Sequence, residues 1–151
     1  MDMPPASCVE DPSSPLCAAD VARGVTRMLL RHDLITIPEV PLEGGRRADL
    51  MALDARGNIV VVEIKVSRAD MLGDGKWPDY LAHCDRFYWA VPAGFDWSPL
   101  ESAAFLPERT GIIVADRYDA AIVREAHSVP LPAHVRKKAC LLYTSPSPRD
   151  S

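Results

Sequence analysis

The stretch Ile59-Val60-Val61-Val62-Glu63-Ile64-Lys65-Val66 constrains this chain more than any other. Six of its eight residues are β-branched and apolar, and it follows Ala55-Arg56-Gly57, a three-residue loop ending in glycine. That loop length favours a type I turn with a glycine bulge, so the segment is predicted to pair antiparallel with Arg47 to Leu53. If Asp54 and Asn58 close the loop, Leu53 faces Ile59, Met51 faces Val61, Asp49 faces Glu63 and Arg47 faces Lys65. Side chains alternate along a strand, so these residues share one face, and Val60, Val62, Ile64 and Val66 take the other. A strand apolar on both faces belongs inside a sheet covered on both sides. Glu63 and Lys65 therefore stand where charge is costly unless it is paired or metal-bound.

The flanking elements follow from spacing. Val21, Val25, Met28 and Leu29 recur at helical intervals, predicting an amphipathic helix that ends near His32, with Ser14-Pro15 as its cap and first turn. Leu34 to Leu42, interrupted by Pro38 and Pro41, suits an edge strand, and Gly44-Gly45 turns the chain. Ser67 and Asp70 open a helical crossover with breaks at Gly73 and Gly75, and Pro78 starts its second segment. Arg86 to Val91 then forms a strand parallel to the central one. After an irregular or short helical connection over Phe95 to Pro107, Gly111 to Ala115 and Ala120 to Arg124 close as a hairpin. The predicted fold is α/β, with an αβββαβ core, a mixed central sheet flanked by helices, and a late β-hairpin.

The net charge of −4 speaks against a basic nucleic-acid coat, but it is unevenly placed. Asp2, Glu10, Asp11 and Asp20 lie in the first 20 residues without any Lys or Arg and account for the whole of it. Residues 1–13, rich in proline and serine, are expected to be a flexible acidic tail. Residues 14–139 form the domain, whose positive and negative charges balance from residue 21 onward. Residues 140–151 resemble, residue after residue, the translation of a sequencing adapter. The basic helix begun at Pro132 to Ala139 is accordingly expected to continue differently in the natural protein. Cys8, Cys17 and Cys84 show no metal-ligand spacing and are read as reduced thiols. The longest apolar run, Ile59 to Val62, is far below the ~20 residues that cross a bilayer. With no signal-peptide pattern present, the expectation is a cytoplasmic protein without a membrane partner.

Two carboxylates opposed across a strand pair, with Cβ atoms about 4.5–5.5 Å apart, repel each other unless a cation or a proton lies between them. Hard carboxylate oxygens suit Mg²⁺ or Mn²⁺, with the backbone carbonyl of Ile64 as a further ligand. Lys65 beside such a pair suits hydrolysis of a phosphodiester, either by acting on the attacking water or by stabilising developing charge. The structural alternative is a buried Glu63–Lys65 or Asp49–Arg47 salt bridge.

These residues resemble the PD-(D/E)XK nuclease superfamily. Asp49 stands in Arg46-Arg47-Ala48-Asp49, with Ala48 in place of the proline, and Glu63-Ile64-Lys65 forms E-X-K. More narrowly, Arg47 to Leu53, Val62 to Lys65, Lys76 to Tyr80 and Cys84 to Val91 are similar to the MmcB-like DNA repair family. The resemblance implies a restriction-endonuclease-like fold and a repair protein that hydrolyses DNA with Mg²⁺ or Mn²⁺. Asp49, Glu63 and Lys65 would be its catalytic residues, and Asp49, Glu63 and the Ile64 carbonyl its metal ligands. It also points to an acid on an earlier element. Glu39 fits that role, unless it is a solvated edge-strand charge. Lys76 on the crossover is either a phosphate contact or a surface charge, and Tyr80 shares its helical face. Trp77 and Tyr80 more readily belong to the core than to a base-stacking platform. Arg46 and Arg47 flank the acids and could guide DNA. Asp70 is read as a helix cap, Asp74 and Asp79 as solvated. A neutral domain of this size suggests structure-selective or damaged DNA as substrate, with repair proteins as further partners. The alternative is a catalytically silent DNA-binding or adaptor module.

Overall fold

The computed structural model describes residues 15–144. The expectations placed on residues 1–13 and on the last residues of the chain lie outside that range. Six strands form one sheet in sequence order: β1 (Ile35–Pro41), β2 (Arg47–Leu53), β3 (Ile59–Ile64), β4 (Arg86–Pro92), β5 (Thr110–Ala115) and β6 (Ala120–Arg124). The β1–β2, β2–β3 and β5–β6 pairs are antiparallel, whereas β3–β4 and β4–β5 are parallel. The β2–β3 turn forms as expected. Asp54 and Asn58 close it, Gly57 adopts a φ of 82°, and Leu53 pairs with Ile59 and Met51 with Val61.

Helix α1 (Ala18–Arg31) covers one face of the sheet. Val21, Val25, Met28 and Leu29 pack on Leu50, Ala52, Val60, Val62 and Ile64. Its start differs from the Ser14-Pro15 expectation. Cys17 is the N-cap, and the carboxylate of the buried Asp20 accepts a hydrogen bond from the Cys17 amide at 3.0 Å. Asp20 also pairs with Arg23 at 2.6 Å and Arg117 at 3.5 Å, which ties the start of the helix into the domain. Cys84 and Cys140 are free thiols, but Cys17 is disulfide-bonded, against the expectation of reduced cysteines. At Gly24 a Cβ would lie 2.2 Å from the Asp116 carbonyl oxygen, so only glycine lets α1 approach the β5–β6 turn this closely.

The other face carries Met51, Ile59, Val61, Phe87, Trp89 and Ile112 under the crossover. That crossover consists of α2 (Arg68–Gly73) and a 3₁₀ segment, Trp77–His83. The Ser67 hydroxyl accepts from the Asp70 amide at 3.0 Å, the predicted cap. Trp77 packs edge-on against Trp89 at 4.9 Å and lies 5.3 Å from Phe87, which makes it core, as expected. Helix α3 (Ala133–Thr144) closes the end of this layer. Arg136 of this basic helix is bound to Asp85 and to the Gly57 carbonyl at 2.9 Å.

Candidate metal and nucleic-acid site

The paired register of β2 and β3 runs from Leu53–Ile59 to Leu50–Val62, and at its end side chains replace the ladder. The Asp49 amide donates to Glu63 Oε1 at 3.1 Å, and the Ile64 amide donates to Asp49 Oδ2 at 2.8 Å. The hairpin thus brings the two carboxylates together, as the sequence predicts. Glu63 is 5% exposed, on a strand buried throughout. In an extended strand the N–H and C=O of one residue point to the same side, so the Ile64 carbonyl also faces the Asp49 side.

Neither of the alternative salt bridges forms. Lys65, itself 5% exposed, reaches Asp74 at 3.1 Å and Asp70 at 3.7 Å rather than Glu63. Arg47 is exposed, and its guanidinium donates to the Glu39 carbonyl at 3.4 Å. Among the described residues, the two acids therefore have no ion-pair partner within 4 Å. Their protonation reflects this. Burial pushes the Glu63 carboxyl up to about 8, with the neighbouring Asp49 adding to the rise. Burial also raises Asp49, partly offset by the Ile64 amide and Lys65. A carboxyl pair that burial drives toward its protonated form is a place that a hard cation can occupy instead.

A depression of about 450 Å³ opens over this pair, lined by Arg46, Arg47, Asp49, Glu63, Lys65 and Asp74 among others. The donor set fits a small divalent cation in kind: two carboxylates and one carbonyl, in a cleft with room for water. Among the described residues no three His, Cys, Asp or Glu side chains converge on one point, so solvent or substrate oxygens would complete the coordination.

The other predicted residues divide. Glu39 falls in register opposite Asp49, between Pro38–Leu50 and Val40–Ala48, but its left-handed φ of 52° breaks the strand's alternation. It is exposed and does not line the depression, which fits the solvated edge-strand charge that was its other reading. Arg46 is committed to Asp74 at 3.6 Å and Asp79 at 3.7 Å and lies over the Tyr80 ring, its guanidinium carbon 5.5 Å from the centroid. Tyr80 is buried, and its hydroxyl donates to the Arg47 carbonyl at 3.0 Å; it braces the β2 entry and offers no open ring for a base. Lys76 is exposed, makes no ion pair among the described residues, and lines an adjoining depression with Arg46 and Arg47.

Two residues escaped sequence reading. Asp74 was expected to be solvated, yet it is 15% exposed and bridges Lys65 and Arg46. Its only signal was the Gly73 and Gly75 flanking it, which mark a bend that turns α2 back over the cleft. Asp85, at the mouth of β4, accepts from the amides of Ile59 at 2.7 Å and Leu131 at 2.9 Å and binds Arg136. These donors hold its carboxylate below its ordinary range against the opposing effect of burial. Its signal was a lone acid leading into the apolar run Phe87 to Val91.

The chain is similar to known proteins in fold and family. The SPO1766 protein of unknown function from Silicibacter pomeroyi, a solved structure, superposes with a TM-score of 0.67 at 39% sequence identity, covering 82% of this chain and 89% of that one. No curated protein matches. Among the described residues, no helix is long and apolar enough to cross a membrane. The family model for DNA repair protein MmcB-like matches residues 6–148, nearly the whole chain, and this protein belongs to that family.

Proposed function

We propose that this repair-family protein is a metal-dependent nuclease hydrolysing DNA phosphodiester bonds at Asp49, Glu63 and Lys65. One observation carries the reading: two adjacent, mostly buried carboxylates hold each other's neighbouring amides while the nearby cations are directed elsewhere. A fold gains little in stability from such a pair, because burying two adjacent carboxyls either keeps one of them protonated or sets like charges against each other. Asp49, Glu63 and the Ile64 carbonyl would hold Mg²⁺ or Mn²⁺, which when bound supplies Lewis acidity toward water and phosphate. Lys65, fixed by Asp74 and Asp70, lines the same cleft as the pair and stabilises negative charge growing on the phosphate. Arg47 and Lys76 are the exposed cations positioned to contact the DNA backbone.

Purified protein is incubated with branched, gapped, single-stranded and duplex DNA in Mg²⁺ or Mn²⁺, beside Glu63→Ala. Cleavage abolished by the substitution supports the proposal. DNA binding without cleavage, unchanged by Glu63→Ala, overturns it in favour of an adaptor module.

A further inference from the structure

The depression over the acids does not end there. Through Arg46, Arg47 and Tyr80 it meets the second depression, about 400 Å³, which Lys76 also lines. Gly44 joins that one to a third, about 610 Å³, between the end of the 3₁₀ segment and α3. The three form one track from the acids over the Gly44-Gly45 turn. At that turn the backbone stands clear: φ is 88° and 83°, and a Cβ at either glycine would meet no heavy atom within 4 Å. A polymer strand can therefore lie directly on the main chain at this saddle.

The third depression differs from the first two. Ala82, Val135 and Ala139 give it apolar walls, His83 and His134 present imidazole rings, and Lys138 stands at its rim. Lys138 is bound to Glu43 in an exposed pair, an interaction weak enough in water to be exchanged for a phosphate. Its volume lies within the range that holds a single small molecule. Apolar walls with flat rings, a lysine at the lip, and shared lining residues that lead to the proposed phosphodiester site fit one unpaired nucleotide.

We infer that the cleft between the 3₁₀ segment and α3 binds an unpaired nucleotide of the strand whose backbone crosses Asp49 and Glu63. The substrate class is then duplex DNA carrying a single-stranded tail or flap. This deepens the nuclease proposal, on which the identity of the polymer rests. Duplex can occupy the cation-lined part of the track, while the unpaired base leaves the stack and enters the apolar end.

The test measures binding by the full chain in EDTA, where no metal-dependent cleavage occurs, so it reads the cleft independently of catalysis. A blunt hairpin duplex is compared with the same hairpin bearing a six-nucleotide 3′ or 5′ tail that contains 2-aminopurine. One stacked base predicts about tenfold tighter binding for at least one tailed form. It also predicts a change in 2-aminopurine fluorescence on binding. Ala82→Trp, which fills the cleft from an exposed position, and His134→Ala, also exposed, should each bring the tailed affinity to within about twofold of the blunt one and leave blunt binding unchanged. Equal affinity for tailed and blunt DNA, or a tail preference untouched by both substitutions, overturns the inference. A tail preference lost in these variants supports it even if no DNA is cleaved in Mg²⁺, an outcome that would defeat the nuclease proposal alone.

Discussion

Replacing Glu63 by glutamine should stabilise the metal-free protein at alkaline pH while leaving it nearly unchanged at pH 5. The wild-type carboxyl is raised from its ordinary 4.5 to about 8 by burial and by Asp49, so the native state keeps a proton that the unfolded chain has released. The sign is then fixed. The native state binds more protons across that window, and stability present below pH 4.5 is lost as pH rises toward 8. Each pH unit inside the window costs ~1.4 kcal/mol, which sets a ceiling near ~5 kcal/mol for the whole interval. The cleft admits water beside Glu63, and relaxation there should reduce the realised loss to about 2–3 kcal/mol. Urea unfolding followed by tryptophan fluorescence, with Trp77 and Trp89 in the core as reporters, is measured at pH 5, 6.5 and 8 in EDTA. The stability difference between Glu63→Gln and wild type should grow steadily in the variant's favour. Parallel pH profiles for the two proteins would refute the reasoning, because they would mean that Glu63 ionises without cost.

Other substitutions probe separate parts of the account. In the DNA cleavage assay, Lys65→Ala should lower the rate by about 10²-fold or more, and Asp74→Asn, which only loosens the lysine, by about tenfold. Glu39→Ala should leave cleavage within about twofold of wild type, since its side chain stands outside the cleft; a loss comparable to that of Lys65→Ala would restore it as a ligand. Asp85→Asn should cost about 2–4 kcal/mol in urea unfolding, because Arg136 and two backbone amides lose a charged acceptor; a change below ~0.5 kcal/mol would show the cluster to be dispensable.

The parts of the site that sequence could reach were those governed by local rules. The three-residue turn at Ala55 to Gly57 fixes the β2–β3 register, and register alone carries Asp49 to Glu63. Helical spacing located the buried stripe of α1, and the crossover length between Val66 and Arg86 implied a parallel strand. What escaped depends on contacts distant in sequence. Asp74 reaches Lys65 only because α2 folds back over the sheet, and Asp85 meets Arg136 across 51 positions. Glu39 is turned away from the cleft by a single dihedral angle. Strand alternation would turn its side chain toward Asp49, but the left-handed backbone at that residue reverses the alternation, so Ile37 and Val40 both pack on the same core. The start of α1 was misplaced for a related reason: Asp20 caps Cys17 from inside the helix and outcompetes the Ser14-Pro15 signal.

The central claim is that Asp49 and Glu63 together hold a divalent cation, and titration with Mn²⁺ followed by the electron paramagnetic resonance signal of the free ion tests it most directly. Wild-type protein should remove one equivalent of Mn²⁺ from the free signal, compete with Mg²⁺ for it, and bind more tightly at pH 8 than at pH 6 as the carboxyl proton is displaced. Asp49→Asn with Glu63→Gln should abolish that equivalent, and Lys65→Ala should keep it. Uptake of Mn²⁺ that survives the double substitution, or no uptake by the folded wild-type protein, would contradict the account.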